Sequence, residues 1–278
     1  MQVDEHTTTI DDVPVFYRSG EVGTAAVYPE VGTDAVYLHE ALTSSDDWLP
    51  FLERTGGLAP DLIGFGRSGK GGHLDYSPEA MATFVERLLA ELAIGRIKLI
   101  GHGWGGAIGL LVALRDPARV ERLVLIDAVP LLGGFEWHGP ARLWRIPLVG
   151  ELVMGSISRR QLARHIRKGT VRPGAWTSAR LNIVWEQFDQ GTQRALIRLH
   201  RAADEPLMAE LGSALGSLQA PALVIWGERD PWFAPEFADA YGAALPHAVV
   251  ERIPDAGHWP WLDRPEVVER VAEFVEAS

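Results

Sequence analysis

Short apolar runs alternate with amphipathic stretches over much of this chain. The amphipathic stretch after Asp75 opens at Ser77 and Pro78, which suit the N-cap and the first residue of a helix. Two acidic residues, Asp11 and Asp12, suit a turn within the first apolar run. Strands that alternate with helices predict a parallel sheet covered on both faces. The runs that predict strands are 7–17, 25–28, 34–39, 58–62, 97–102, 122–127, 222–226 and 248–253.

The alternation stops between residues 129 and 217. This segment predicts a helical lid inserted into the α/β core, which then comprises 1–128 and 218–278. Most of its aromatic side chains are expected to pack in the lid, with one or two lining a pocket. The predicted lid helices are 141–154, 159–167, 177–188, 192–203 and 207–215, and the four lid tryptophans are Trp137, Trp144, Trp176 and Trp185.

Composition excludes several kinds of protein. The 278 residues include no cysteine, which rules out disulfides, thiolate metal sites and a thiol nucleophile and fits a cytoplasmic protein. The N-terminal residues lack signal-peptide features, and no apolar run is long enough to span a membrane. The net charge of −11 disfavours nucleic acid as a partner.

Charge is unevenly distributed along the chain. Residues 130–201 contain 12 Lys and Arg against 4 Asp and Glu, inside an acidic protein. Such a segment can form solvated helix faces, or it can supply a field that attracts an anionic substrate. The predicted partner is a small-molecule substrate, anionic if the second interpretation holds.

The most informative stretch is 99–106, where an apolar strand enters a glycine-rich turn and a helix follows at once. This is the layout of a nucleophile elbow, which exposes one side chain above a parallel sheet. Here the exposed position is Gly103, which has no side chain. Covalent catalysis through residue 103 is therefore impossible, since glycine supplies no attacking atom.

This elbow, the loop after His39, Asp230-Pro231 and the 255–258 turn together resemble the α/β-hydrolase fold. The resemblance covers nearly the whole chain. It implies a mostly parallel, eight-stranded α/β sheet with helices on both faces and an inserted helical lid. It also implies a triad in which Gly103 is the vacant nucleophile position, Asp230 the acid and His258 the base.

Other site residues follow from the same resemblance. The oxyanion hole would use the backbone amides of Trp104 and Ala41, in the loop that begins at His39. Asp127 is a rival to Asp230, because some relatives place the acid at that strand end. A glutamate, Glu40, stands where the family usually has glycine, and a carboxylate beside an oxyanion hole is unexpected.

The motif Gly-His-Gly-Trp-Gly-Gly at 101–106 favours one branch of the family. Trp104 resembles haloalkane dehalogenases and epoxide hydrolases, in which a tryptophan here can hold a halide. Serine esterases and cofactor-free haloperoxidases are the other branch. Dehalogenases often have a halide-binding asparagine where this chain has Ala41.

Three functions remain open on the sequence. The favoured one is a hydrolase of a haloalkane, epoxide or ester that has lost its nucleophile. The others are a water-adding hydrolase, lyase or isomerase that uses His258 and Asp230 as a non-covalent base, and a ligand-binding protein without chemistry. His102 is expected to be structural, and Ser44 and Ser45 to be capping residues. No metal or cofactor is predicted.

Overall fold

The computed structural model describes residues 2–20 and 34–277. Within them, eight strands form one sheet in the order β1-β2-β4-β3-β5-β6-β7-β8. The pairs β1–β2 and β2–β4 are antiparallel and the others are parallel, so the predicted sheet is confirmed. The candidate strand at 25–28 lies outside the described residues. The strands are β1 Val3–Ile10, β2 Val13–Gly20, β3 Asp34–Leu38, β4 Gly57–Pro60, β5 Ile97–His102, β6 Val120–Ile126, β7 Ala222–Gly227 and β8 Ala248–Ile253.

The single strand predicted over 7–17 is a hairpin of two strands. Asp11 and Asp12 form its two-residue loop, with Ile10 paired to Val13. Both aspartates have positive φ (48° and 64°), the conformation that lets a two-residue loop follow the twist of the strands.

The α-helices cover the sheet and form the segment between β6 and β7. The helix α2 begins at Pro78 with Ser77 as its N-cap, as predicted, because the Ser77 side chain accepts from the Ala80 amide. The helices are α1 Leu49–Thr55, α2 Pro78–Glu91, α3 Trp104–Arg115, α4 Gly139–Arg145, α5 Val149–Gly155, α6 Arg159–Arg167, α7 Ser178–Gln187, α8 Gln190–Ala202, α9 Glu205–Gly212, α10 Glu236–Ala244, α11 Pro260–Asp263 and α12 Glu266–Glu276.

Strand β5 and helix α3 lie at the centre of the fold. Apart from the partly exposed Lys98, the side chains of β5 are buried, and α3 is buried along ten of its twelve residues. Gly103 joins the two elements with φ 53° and ψ −120°. Gly105 allows α3 to approach β3, because a β-carbon there would overlap with the Leu38 carbonyl oxygen. The turn therefore holds residue 103 above the carboxyl ends of the parallel strands.

The segment between β6 and β7 contains helices α4 to α9, which we call the cap segment. The helix predicted over 141–154 is wrong as a single element, since it is broken into α4 and α5. Pro147 and Leu148 separate them, and Leu148 has a φ of 65°. The division of the chain into core and cap domains at 128/129 and 217/218 stays a prediction.

Across residues 2–20 and 34–277, no helix has both the length and the apolar character needed to cross a membrane.

Candidate active site

Two loops at the carboxyl ends of neighbouring strands bring Asp230 and His258 together. Asp230 follows β7, and His258 follows β8. The Oδ2 atom of Asp230 accepts a hydrogen bond from Nδ1 of His258 at 2.7 Å. Its other oxygen accepts from the amides of Trp232 and Phe233, which fixes the carboxylate. Because Nδ1 is used in this way, Nε2 is the nitrogen of His258 left to accept a proton in a reaction.

Asp127 is a second carboxylate close to this pair. Its Oδ1 accepts from the Gly227 amide at 3.0 Å. Burial and the neighbouring charge of Asp230 raise the pKa of Asp127 well above its usual range. A protonated Asp127 can donate to Asp230, which gives its otherwise unpartnered Oδ2 an acceptor. The geometry thus favours Asp230 over Asp127 as the acid that orients His258.

Asp127, Asp230 and His258 also place ligand atoms within 4.8 Å of one another in the described part of the chain. The direct bond between Asp230 and His258 occupies two of the atoms that a cation would need. Hydrogen bonding therefore accounts for the cluster.

Two further histidines support the backbone of the site. Nε2 of His102 donates to the His258 carbonyl oxygen at 2.7 Å, and burial holds the pKa of His102 well below its usual value. Nε2 of His39 accepts from the Leu62 amide at 2.9 Å, so Nδ1 carries the proton and donates to the Glu40 carbonyl at 2.7 Å. His39 thus holds the loop after β3 by its backbone and is not among the residues that line the cavity.

The serines of this loop make local contacts. The Ser44 side chain caps the short 3-10 helix Ser45–Trp48 and donates to Asp46. The Ser45 amide donates to Asp61. Neither serine lines the cavity beside His258.

The space above Gly103 is filled by the side chain of Glu40. A β-carbon at position 103 would overlap with Oε2 of Glu40. That oxygen accepts from the Trp104 amide at 2.7 Å and lies 4.0 Å from Nε2 of His258. The Ala41 amide also bonds the carboxylate. The two amides predicted to form an oxyanion hole therefore both contact Glu40.

Burial raises the pKa of the Glu40 carboxyl, although the charge of His258 and the two amide bonds act in the opposite direction. Trp104 and Ala41 are themselves almost fully buried. Glu40 is thus a carboxyl group with limited access to water and fixed donors around it.

A cavity of about 30 Å³ lies against Glu40 and His258. It has space for about two water-sized molecules. Among the described residues, its lining contains one carboxylate, that of Glu40, and no lysine or arginine. The lining residues are Glu40, Leu42, Trp104, Trp137, His138, Trp144, His165, Leu196, His200, Trp232, Phe233, His258 and Trp259.

The cap segment supplies three of the cavity's histidines. Burial lowers the pKa of His138 to about 3 and the pKa values of His165 and His200 to about 4. All three imidazoles are therefore neutral at pH 7. With Trp104 stacked on Trp137 at 5.4 Å, they make the surroundings of Glu40 aromatic and uncharged.

Several of these lining residues were not predicted from the sequence. Trp232, Phe233 and Trp259 surround the His258 ring with centroids at 4.8, 5.3 and 4.8 Å. Their position in the sequence could have identified them, because they directly follow Asp230-Pro231 or His258 in the chain. Glu40 departs from the family pattern in the sequence, but its contact with position 103 depends on the fold.

Comparison with known proteins identifies the class. Residues 36–271 match the model of the alpha/beta hydrolase family. The chain belongs to this family. It is 31% identical over 239 residues to a haloalkane dehalogenase of Mycolicibacterium paratuberculosis, covering 79% of this chain and 74% of that protein. It is 28% identical over 244 residues to a cis-3-alkyl-4-alkyloxetan-2-one decarboxylase of Shewanella oneidensis, covering 78% and 73%.

Solved structures show the same fold. An epoxide hydrolase, CorEH, superposes with a TM-score of 0.82 at 20% identity, over 98% of each chain. The haloalkane dehalogenase DbeA of Bradyrhizobium elkani USDA94 superposes with a TM-score of 0.82 at 22% identity, over 99% of this chain and 98% of that one.

Proposed function

We propose that this protein hydrolyses a small, uncharged alkyl electrophile, with a haloalkane as the favoured substrate and an epoxide as the next. His258, oriented by Asp230, acts as the general base that activates water. The observation that carries the proposal is the position of this hydrogen-bonded pair beside an aromatic cavity that also contains a carboxylate.

The lining of the cavity supports an uncharged substrate. Tryptophan, phenylalanine, leucine and neutral histidine side chains offer apolar contact, and the described lining has no lysine or arginine that could pair with an anionic group of a substrate. The arginines of α6 line a separate groove with Lys168, Ser178 and Asn182. An anionic substrate, which is one of the two interpretations of the basic segment at 130–201, stays a prediction. The role of Trp104 in holding a halide and a cytoplasmic location also stay predictions.

The present cavity is smaller than an alkyl substrate needs, since ligand pockets commonly measure about 300 Å³ or more. Binding therefore requires the cap segment or its aromatic side chains to move. The names of the relatives support the chemistry, because a haloalkane dehalogenase is among the similar sequences and an epoxide hydrolase among the similar folds.

A substrate panel tests the proposal. The purified protein is incubated with 1-bromobutane, 1,2-epoxybutane and 4-nitrophenyl acetate, and bromide, diol and nitrophenolate are measured. We expect bromide release that falls by about 10³-fold or more in His258→Ala, because the base is lost. His247→Ala is the matched control, since that histidine is exposed and remote from the cavity.

Two results would contradict the proposal. One is no turnover of 1-bromobutane or 1,2-epoxybutane, whether or not 4-nitrophenyl acetate is cleaved. The other is an equal rate in His258→Ala and the wild-type protein, which would place the reaction outside this site.

A further inference from the structure

Two departures from the family pattern meet at one point of the molecule. Position 103 lacks a side chain, and Glu40 replaces the glycine usual after His39. The Glu40 carboxylate fills the volume that a side chain on residue 103 would enter. An elbow residue would present its reactive atom in this place, close to Nε2 of His258.

The contacts of Glu40 are those of a held anion. Oε2 accepts from Trp104, the first residue of α3, so the positive end of that helix faces the carboxylate. The Ala41 amide donates to the same carboxylate. Donors of this kind lower the pKa of the carboxyl and so favour the ionised form that a nucleophile needs, although burial has the larger effect and leaves the pKa raised.

We propose that Glu40 is the catalytic nucleophile, supplied from the loop after β3 in place of the elbow residue. The substrate class rests on the function proposed above. The assignment of Glu40 rests on its own contacts with position 103, the two amides and His258.

The first half of the reaction forms an ester. A carboxylate oxygen of Glu40 attacks the substrate carbon, and the carbon–halogen bond breaks with its electron pair leaving on the halide. The product is an alkyl ester of Glu40. Its carbonyl oxygen remains beside the amides of Trp104 and Ala41.

The second half uses water. The 4.0 Å between His258 Nε2 and Glu40 Oε2 exceeds a direct hydrogen bond but allows one water molecule to contact both atoms. His258 takes a proton from this water as its oxygen bonds to the ester carbon, and the two amides stabilise the oxyanion. The ester C–O bond then breaks, and the departing alkoxide takes the proton from His258. The acid left on Glu40 releases its proton to solvent, so the sum is R–X plus water giving R–OH, halide and a proton.

Trapping the ester tests the assignment. His258→Gln removes the base for the second half but not the nucleophile, so 1-bromobutane should leave a butyl group on the protein. We expect stoichiometric mass gain, located by peptide mapping on Glu40. Glu40→Gln in the same background should abolish the gain, whereas Glu136→Gln, an exposed carboxylate on the approach to α4, should not.

Oxygen exchange gives a second measurement with the wild-type protein. In a single turnover in H₂¹⁸O, the ester route puts the heavy oxygen into Glu40, because water attacks the carboxyl carbon. Direct attack of water on the substrate puts it into the alcohol. Label found in the alcohol alone, with bromide released at the same rate by Glu40→Gln, would overturn the proposal.

The two proposals fail in different ways. An adduct on Glu40 without turnover supports the nucleophile and overturns the hydrolase. Turnover without an adduct or labelled Glu40 supports the hydrolase and overturns the nucleophile. If neither an adduct nor turnover is found, both proposals are overturned. Glu40→Gln itself should lower bromide release by about 10³-fold or more.

A positional exchange provides an independent check that does not depend on Glu40→Gln folding well. Gly103→Asp alone puts two carboxylates into one volume and should unfold at lower urea concentration and release little bromide. Adding Glu40→Gly should recover stability and should raise the rate of bromide release at least tenfold above that of Gly103→Asp alone. Equal behaviour of the single and double variants would show that the two positions do not share one place, and would contradict the proposal.

Discussion

At the scale of single residues, Glu40 and Gly103 form one structural unit. The carboxylate satisfies the amides of Trp104 and Ala41, which would otherwise face a cavity with few polar groups. Because a side chain at position 103 would meet this carboxylate, any substitution there changes the environment of Glu40 as well. Restoring an elbow nucleophile therefore needs two changes rather than one.

Asp47 is a second buried carboxyl in the loop after β3. Its Oδ2 accepts from Nε1 of Trp259 at 3.2 Å, and burial raises its pKa from 3.8 to about 7. The folded protein thus binds this proton more tightly than the unfolded chain does. Its contribution to stability is present near pH 4 and is lost as the pH rises from about 4 to about 7.

The variant Asp47→Asn should therefore gain stability relative to the wild-type protein as the pH rises. We expect its free energy of unfolding, relative to wild type, to improve by about 1–4 kcal/mol between pH 4.5 and pH 8, since the amide has no charge to bury. Urea unfolding at the two pH values measures this difference. Asp116→Asn, at an exposed position, should show little pH dependence. An unchanged difference for Asp47→Asn would mean that its carboxyl is already ionised at low pH in the folded state.

At the scale of elements, local pattern determines much of the core but not its irregularities. The bounds of β5 match the prediction at 97–102, because Gly95 and Gly103 bracket a short run in which Ile97, Leu99 and Ile100 are buried. The break at Leu148 was missed, since periodic apolar positions continue across it and only Pro147 interrupts them. The contact between Glu40 and Gly103 could not be predicted, because distant residues meet there through the sheet register and the positive φ of the elbow.

The β1–β2 hairpin offers a local test of backbone strain. Asp12 is exposed and has a φ of 64°, a conformation that glycine adopts without steric cost. Asp12→Gly gives the Asp-Gly loop preferred in two-residue hairpins and should raise the free energy of unfolding by about 0.5–1 kcal/mol. Asp116→Gly is the comparison, since its φ of −140° gives no relief and should produce a small loss in the same urea titration. A loss of equal size in both would show that Asp12 is unstrained.

At the scale of the whole molecule, ion pairs and hydrogen bonds join the cap segment to loops at the carboxyl ends of the strands. The cap helix α8 is fastened to the loop after β4 by an ion pair between Lys70 and Asp189 and by Thr192, which donates to the Gly64 carbonyl. If the cavity widens by movement of the cap segment rather than of its aromatic side chains, these contacts must yield or move together.

Asp263 links the cap segment to the loop that contains His258. Its carboxylate accepts from the amides of Val171 (2.9 and 3.0 Å) and Arg172 (2.6 Å) in the cap segment and of Gly257 (2.9 Å), the residue before His258.

Asp263→Ala leaves these donors without their acceptor and should lower the free energy of unfolding by about 2–3 kcal/mol, as measured by urea unfolding. Bromide release should also fall, with retention of more activity in Asp263→Asn, whose amide oxygen can still accept. Asp255→Ala is the matched control, because that exposed carboxylate, in the loop that precedes His258, pairs with two surface arginines and should cost about 0–1 kcal/mol. Similar losses of stability for Asp263→Ala and Asp255→Ala would show that the cap segment is held to the loop after β8 by other contacts.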